Sequence, residues 1–335
     1  MKTGVILLNL GGPDSLGAVR PFLYNLFSDR KIIRLGPAFL QKPIAWSIAA
    51  RRAPKTRKMY EQIGGGSPIL DITNAQAKAL EEALKGVHDP LKGVHDPFKV
   101  YVGMRYWRPF IVETLRRAYE DGVRRLVALS LYPHYSRATT GSAEDMLKEE
   151  LGKYAMEAAF ISSWFDHPLY IEALLDTIRK GMEKFGPETG EGNAPVARAP
   201  VVLFSAHSLP VSFIKEGDPY VEEIMGTIKA VAARAGIHWR LGYQSRSGPV
   251  RWLEPSTEDV LRGLRKEGVR EVLMVPISFV SDHIETLYEI DILYRGMAEE
   301  MGLKVRRADS LNTHPLLIRA LGELVIGKAK EKGWA

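Results

Sequence analysis

Eight short runs of apolar residues punctuate the chain, and most are unbroken rather than alternating. They are "GVILLNL" (4–10), "KVYVGMRY" (99–106), "RRLVALSLYP" (124–133), "EAAFISSW" (157–164), "PVVLFSAHS" (200–208), "IHWRLGYQ" (237–244), "EVLMVPISFV" (271–280) and "LKVRRADSL" (303–311). A strand with one wet face alternates, whereas one buried on both faces does not, so these runs predict parallel sheets covered by helices. Between them, segments such as "AQAKALEEALKG" and "YVEEIMGTIKAVAARAG" space apolar residues at helical intervals and stop at glycine. The alternation predicts an α/β fold. The two halves echo each other, each reaching a long Pro-containing strand and loop, "VALSLYPHYS" and "LMVPISFVSDH". We therefore expect two similar domains, residues 1–160 and 161–335, each a parallel sheet flanked by helices, with the last helix packing back on the first domain. The Gly/Pro-rich "FGPETGEGNAPVARAP" (185–200) predicts a surface loop or linker near the junction.

Composition narrows the class. A chain of 335 residues, 45% hydrophobic and 26% charged, is a soluble globular protein of about two domains. Cysteine is absent, which excludes disulfides and thiolate-held metals or clusters and suits a cytoplasmic protein. The richest apolar run, "PIAWSIAA" (43–50), is too short for a membrane span, and the N-terminal run too short for a secretory signal. A net charge of +6 favours acidic partners. Nucleic acid is not expected, because the basic residues are not interleaved with an aromatic platform. The duplicated "LKGVHDPLKGVHDP" (84–97) clusters His88, Asp89, His95 and Asp96. That reads as a metal site or a slipped insertion in a solvent loop, and the lack of a rigid frame favours the insertion.

Candidate chemistry belongs where parallel strands end, since ligands collect at their carboxyl edge. The turn "NLGGPDS" offers backbone N–H groups to an anion but matches neither dinucleotide nor P-loop fingerprints. His134 in "YPHYS" reads as a loop histidine near the cleft rim, and "SAHSLP" ends its strand on His207. In "FVSDHIETLYEID", Asp282, Glu285 and Glu289 fall on one face of a predicted α-helix. Two readings stay open there. Asp282 and Glu285 have the D-x-x-E form of a helix-capping pair; alternatively, Glu285 faces His207 across a cleft with Asp282 and His283 behind. Imidazole and carboxylate without thiolate suit proton abstraction, or loose binding of a divalent metal that must later be released. Neither a nucleophile elbow nor a zinc-protease helix is present. Arg51, Arg52, Tyr60 and Ser67 in "AARRAPKTRKMYEQIGGGSP" suit carboxylate binding, against the plainer reading of a solvated basic helix. The stretch "LGPAFLQKPIAWSI" (35–48), with Phe39, Leu40, Ile44 and Trp46, reads as core, an apolar ligand lip or a membrane-surface contact.

Six motifs in order carry a family resemblance: "NLGGPDSLGAVRPFLYNLFSDR", "RRAPKTRKMYEQIGGGSPI", "YPHYSRATTGS", "SAHSLP", "YQSRSGPVRWLEPSTEDVL" and "FVSDHIETLYEID". Together they resemble ferrochelatase, a lyase of haem biosynthesis that inserts Fe²⁺ into a porphyrin. The resemblance implies two Rossmann-like, chelatase-type domains with the active cleft between them. It implies His207 and Glu285 as the catalytic pair and as ligands to the incoming metal, with Asp282, His283 and Glu289 in support. Arg51, Arg52, Tyr60 and Ser67 would meet the propionates, with Leu10, Arg105, Tyr132 and Trp252 near the ring. Fe²⁺ is then a substrate and no cofactor is permanently bound. Three positions qualify the match. Some members continue an acidic ladder where this chain has Leu293. Cluster-bearing members place cysteine where Arg137 stands, so no iron–sulfur cluster is expected. Members specialised for coproporphyrin often carry tyrosine where this chain has Asp14, so protoporphyrin IX is favoured, with coproporphyrin III the alternative. Residues 35–48 would make a peripheral membrane contact. The competing classes are cobalt insertion into sirohydrochlorin and a porphyrin- or haem-binding protein without catalysis.

Overall fold

The computed structural model describes residues 2–85, 98–186, 199–246, 248 and 250–334. His88, Asp89, His95 and Asp96 of the duplicated segment lie outside the described residues, as does most of the 185–200 segment. Two four-stranded parallel sheets carry the fold. The first joins β1 (Lys2–Asn9), β2 (Lys99–Met104), β3 (Val123–Ser130) and β4 (Glu157–Ile161) in the order β2-β1-β3-β4. The second joins β5 (Val201–His207), β6 (Trp239–Gln244), β7 (Glu271–Pro276) and β8 (Lys304–Arg307) in the order β6-β5-β7-β8. All eight expected strands are present, but several stop short of their apolar runs. Leu131, Tyr132, Ile277 and Val280 are buried in the loops beyond β3 and β7, so hydrophobicity outlasts the ladder of hydrogen bonds.

The chain divides into two compact units, Met1–Trp164 with Asn312–Ala335, and Phe165–Leu311. Within the first, the last helix, Pro315–Glu331, packs against α3 (Ile69–Leu84). Its core sets Ile6, Leu8, Leu126 and Ala128 of the sheet against Ile111 and Leu115 of α4 (Ile111–Glu120) and Leu147 of α5 (Ser142–Leu151). In the second unit, Leu203, Val272 and Met274 meet Leu261 and Leu264 of the helix Thr257–Lys266, with Ile290 and Ala298. Burying each large apolar side chain of this kind is worth roughly 1.5–3 kcal/mol.

The first unit shows how a basic helix is held. In α2 (Gln41–Glu61), Ala45, Ala49 and Ala53 form a buried stripe four residues apart, which lets the helix lie close to α1 (Val19–Ser28) while its cations face out. Gln41 at its start is buried, and its amide is fully used. Nε2 donates to the Phe27 and Ile33 carbonyls (2.7 and 3.0 Å), and Oε1 accepts from Arg30 and the Leu35 N–H (3.2 and 3.1 Å). Asp29, just past α1, gathers three donors on one oxygen, two from the loop after β2 and one from the start of α5: Arg105 (2.7 Å), Tyr106 (2.7 Å) and Ser142 (2.5 Å). Nearby, the turn before Ser67 presses against the loop after β1. The Ser67 N–H donates to the Pro13 carbonyl at 2.7 Å, and a Cβ on Gly66 would lie 2.7 Å from the Asp14 carbonyl oxygen. Backbone cannot step aside as a side-chain tip can, so Gly66→Ala should destabilise the fold by about 1–3 kcal/mol, read as a lower urea midpoint of unfolding.

Candidate active site

The second sheet places the candidate side chains by register. β5 ends on His207, which lies opposite Gln244 at the end of β6. The backbone of His207 is fixed at both polar groups: its N–H donates to Ser278 Oγ (2.9 Å), and its carbonyl accepts from the Tyr220 hydroxyl (2.9 Å). After β7 the chain enters a π-helix, Glu285–Tyr294, where an α-helix is expected; the Arg295 N–H reaches back five residues to the Ile290 carbonyl. Wide turns of this kind often mark functional sites.

His207 Nδ1 lies 3.0 and 2.9 Å from the two carboxylate oxygens of Glu285. Both facing atoms are acceptors, so Nδ1 carries the hydrogen, and Nε2 is left for a substrate. The His207 side chain keeps 30% of its surface exposed and Glu285 only 11%. Glu285 is therefore committed to imidazole, and the capping half of the D-x-x-E reading does not hold for it. Glu289 stands one turn on, its Oε2 accepting from Ser245 Oγ (2.6 Å) and Gln244 Nε2 (3.2 Å). His283 is buried. Its Nδ1 donates to the Ser281 carbonyl (3.0 Å), while Nε2 faces Glu285 at 3.9 Å, beyond hydrogen-bond reach. The Phe279 ring meets both imidazoles edge to face. Asp282 turns the other way, accepting from Arg307 (3.0 Å), Ser310 (2.8 Å) and Thr286 (2.9 Å), which ties down the turn before the π-helix.

Charge follows this geometry. Burial pulls the His207 pKa down, but the charge and hydrogen bond of Glu285 outweigh it and leave imidazole above its ordinary value. Burial would raise Glu285, yet His207 holds it well below the usual carboxylate range. Glu289 is pushed up to about 7 by burial and by the charge of Glu285, against the Ser245 hydrogen bond. Among the described residues, no group of three or more histidine and acidic side chains forms a metal cage.

The expected binding residues occupy several settings. Arg51 is exposed and donates to Ser47 Oγ (3.0 Å), and Arg52 lies over the Phe27 ring. Tyr60 and Tyr132 are buried, and Leu10 is half-buried with its N–H on Asn9 Oδ1 (2.8 Å). Arg105 is engaged inside the first unit by Asp29 and by Ser142 Oγ (2.8 Å). Trp252 bridges to Pro210 along the backbone. His134 is not a rim residue: it is buried, and burial pushes it down to about 3. Ser278 and Tyr220 lie outside the six motifs, and Gln244 and Ser245 fall within "YQSRSGPVRWLEPSTEDVL" without a role having been given to them. Strand register was the available signal for Gln244, which pairs with His207.

A family model described as Ferrochelatase matches residues 2–329. The chain belongs to the ferrochelatase family. A ferrochelatase from Geotalea daltonii is 50% identical over 97% of both chains, and one from Geotalea uraniireducens 52% identical over 97% of both. Among solved structures, SirB from Bacillus subtilis with Fe³⁺ aligns over 99% of this chain and 98% of its own, with a TM-score of 0.57 and 13% identity, a likeness of fold. Ferrochelatases are metal chelatases with Fe²⁺ as substrate, and the two Rossmann-like sheets fit that family's fold. No helix among the described residues is long and apolar enough to cross a membrane.

The titrations carry a stability signature. His207, raised above 6.5, contributes stability that is full below 6.5 and lost as pH rises through its folded pKa. Glu285, depressed below 4.5, contributes above 4.5 and loses it as pH falls. The pair therefore stabilises a window from about 4.5 to above 6.5. Glu289, raised from 4.5 to about 7, works against the fold as it ionises. Glu289→Gln should thus raise the thermal midpoint relative to the parent at pH 8, with the gain shrinking toward pH 5. Equal shifts at both pH values would contradict this account.

Proposed function

We propose that this ferrochelatase inserts Fe²⁺ into protoporphyrin IX, with His207 as the group that meets the pyrrole nitrogens. Ferrochelatase activity in haem biosynthesis follows from family membership; the choice of porphyrin and the residue roles are our reading. Insertion exchanges two pyrrole N–H protons for one Fe²⁺, so the site must accept protons and pass on a metal. The observation that carries the reading is the His207–Glu285 pair, with Nδ1 held at 2.9–3.0 Å and Nε2 directed away from the carboxylate. Nε2 accepts a pyrrole proton, and Glu285 stabilises the imidazolium that forms. The raised pKa makes neutral imidazole a stronger base while lowering its abundance at neutral pH. Glu289, titrating near 7, exchanges that proton onward. Two weak nitrogen and oxygen donors suit a metal that must leave them. A ring held out of plane would expose its nitrogen lone pairs, using binding energy from the periphery.

Protoporphyrin is supported by an apolar lip: Phe39 is 78% exposed, Trp46 58% and Leu40 37%. Such a surface fits a substrate with few carboxylates. Set beside Arg51, Arg52 and the Arg20 guanidinium stacked on Trp46, it also fits an anionic membrane surface. Phe39→Asp should then weaken sedimentation with vesicles containing phosphatidylglycerol, leaving neutral vesicles as the baseline.

The activity test is anaerobic Fe²⁺ insertion followed by loss of free-porphyrin absorbance, with protoporphyrin IX and coproporphyrin III side by side. His207→Ala should lower kcat by about 100-fold or more while porphyrin binding persists. Faster turnover of coproporphyrin III would reverse the substrate assignment. Porphyrin binding by the parent with no insertion of Fe²⁺, Zn²⁺ or Co²⁺ would leave a carrier.

A further inference from the structure

Gln244 is buried, 4% exposed, and its two ends are bound to different chemistry. Oε1 accepts from the Ser205 hydroxyl, which also lies 3.3 Å from Thr257 Oγ1. The opposite end faces a carbonyl and two carboxylates and so must be the NH₂, which leaves Oε1 toward the Ser205 hydroxyl. That NH₂ donates to the Glu285 backbone carbonyl (3.0 Å), faces Glu285 Oε2 (3.5 Å) and donates to Glu289 Oε2 (3.2 Å). Two carboxylates with a donor between them repel less and hold one geometry. The backbone of Gln244 is fixed as well, its carbonyl accepting from the Ser208 N–H (2.9 Å) beside His207.

We propose that Gln244 is a positioning residue, whose amide, tethered by Ser205, fixes the Glu285 and Glu289 carboxylates relative to each other and to His207. It touches no reacting atom itself. Its effect runs through the acids, so it should govern delivery of the metal and turnover rather than capture of the porphyrin. The inference rests on the roles proposed above for His207 and Glu285. A carboxylate braced by several donors keeps its aim when the substrate arrives, whereas an unbraced pair spreads apart.

The test uses Gln244→Met, which keeps length and burial but removes the donor, and Ser205→Ala, which leaves Gln244 in place but removes the donor to its Oε1. Both are measured for kcat, KM for Fe²⁺ and Kd for protoporphyrin IX by fluorescence quenching. Gln244→Met should lose about 10- to 100-fold in kcat over KM for Fe²⁺, with porphyrin affinity unchanged, and Ser205→Ala should shift the same quantities by less. Unchanged kinetics, or porphyrin affinity falling in step with turnover, would overturn the inference. If Gln244→Met does not fold, Ser205→Ala decides alone by the same split. Failure of the underlying site reading looks different: His207→Ala would then retain the parent's kcat.

Discussion

One hydrogen-bonded pair organises the second unit. Glu285 has both carboxylate oxygens on His207 Nδ1, and this fixes the tautomer, the direction of Nε2 and the charge of each partner. The surrounding polar groups make sense as supports for it. Ser278 and Tyr220 hold the histidine backbone, Gln244 holds the acids, and Ser205 tethers the amide. Removing water from such a pair would be costly if either group stood alone, since a buried charge without a partner is among the least tolerated features of a protein interior.

The pair also explains the arrangement of protons. With a proton on both ring nitrogens of His207 the pair is neutral overall, an imidazolium against a carboxylate, whereas neutral imidazole leaves it with a net negative charge. Glu289 is pushed up to about 7 first by burial and then by the negative charge of Glu285. Neighbouring carboxylates are thus driven apart by their environments, one downward and one upward.

Much of this was legible in the sequence. Unbroken apolar runs marked all eight strands, and the rule that ligands gather at strand ends led to His207 and Glu285. Strand ends were overestimated where buried loops continue the apolar pattern, as at Leu131 and Ile277. The π-helix was not foreseen, because the spacing of Glu285 and Glu289 suits either helix width. Asp282 looked like a companion of Glu285 by spacing, but Arg307 arrives from β8, 25 residues away in the chain, and takes it. Arg105 was expected near the porphyrin ring by resemblance, and in the structure Asp29, just past α1 and 76 residues away, pairs with it. Such ion pairs depend on which distant strand ends meet, and one-dimensional patterning does not encode that.

The repeated strand order has a consequence of another kind. β1 and β5 hold the same place in their sheets, and π-helical turns follow the third strand of each, at Arg137–Gly141 and Glu285–Tyr294. Yet β1 ends on Asn9, whose amide is used by Thr73 and its own neighbour, where β5 ends on His207. One scaffold position thus holds a tied-down amide in one sheet and an imidazole paired with a carboxylate in the other. A doubled architecture permits such a difference: the strand end of one sheet can be tied into packing while the matching end of the other presents a titratable side chain.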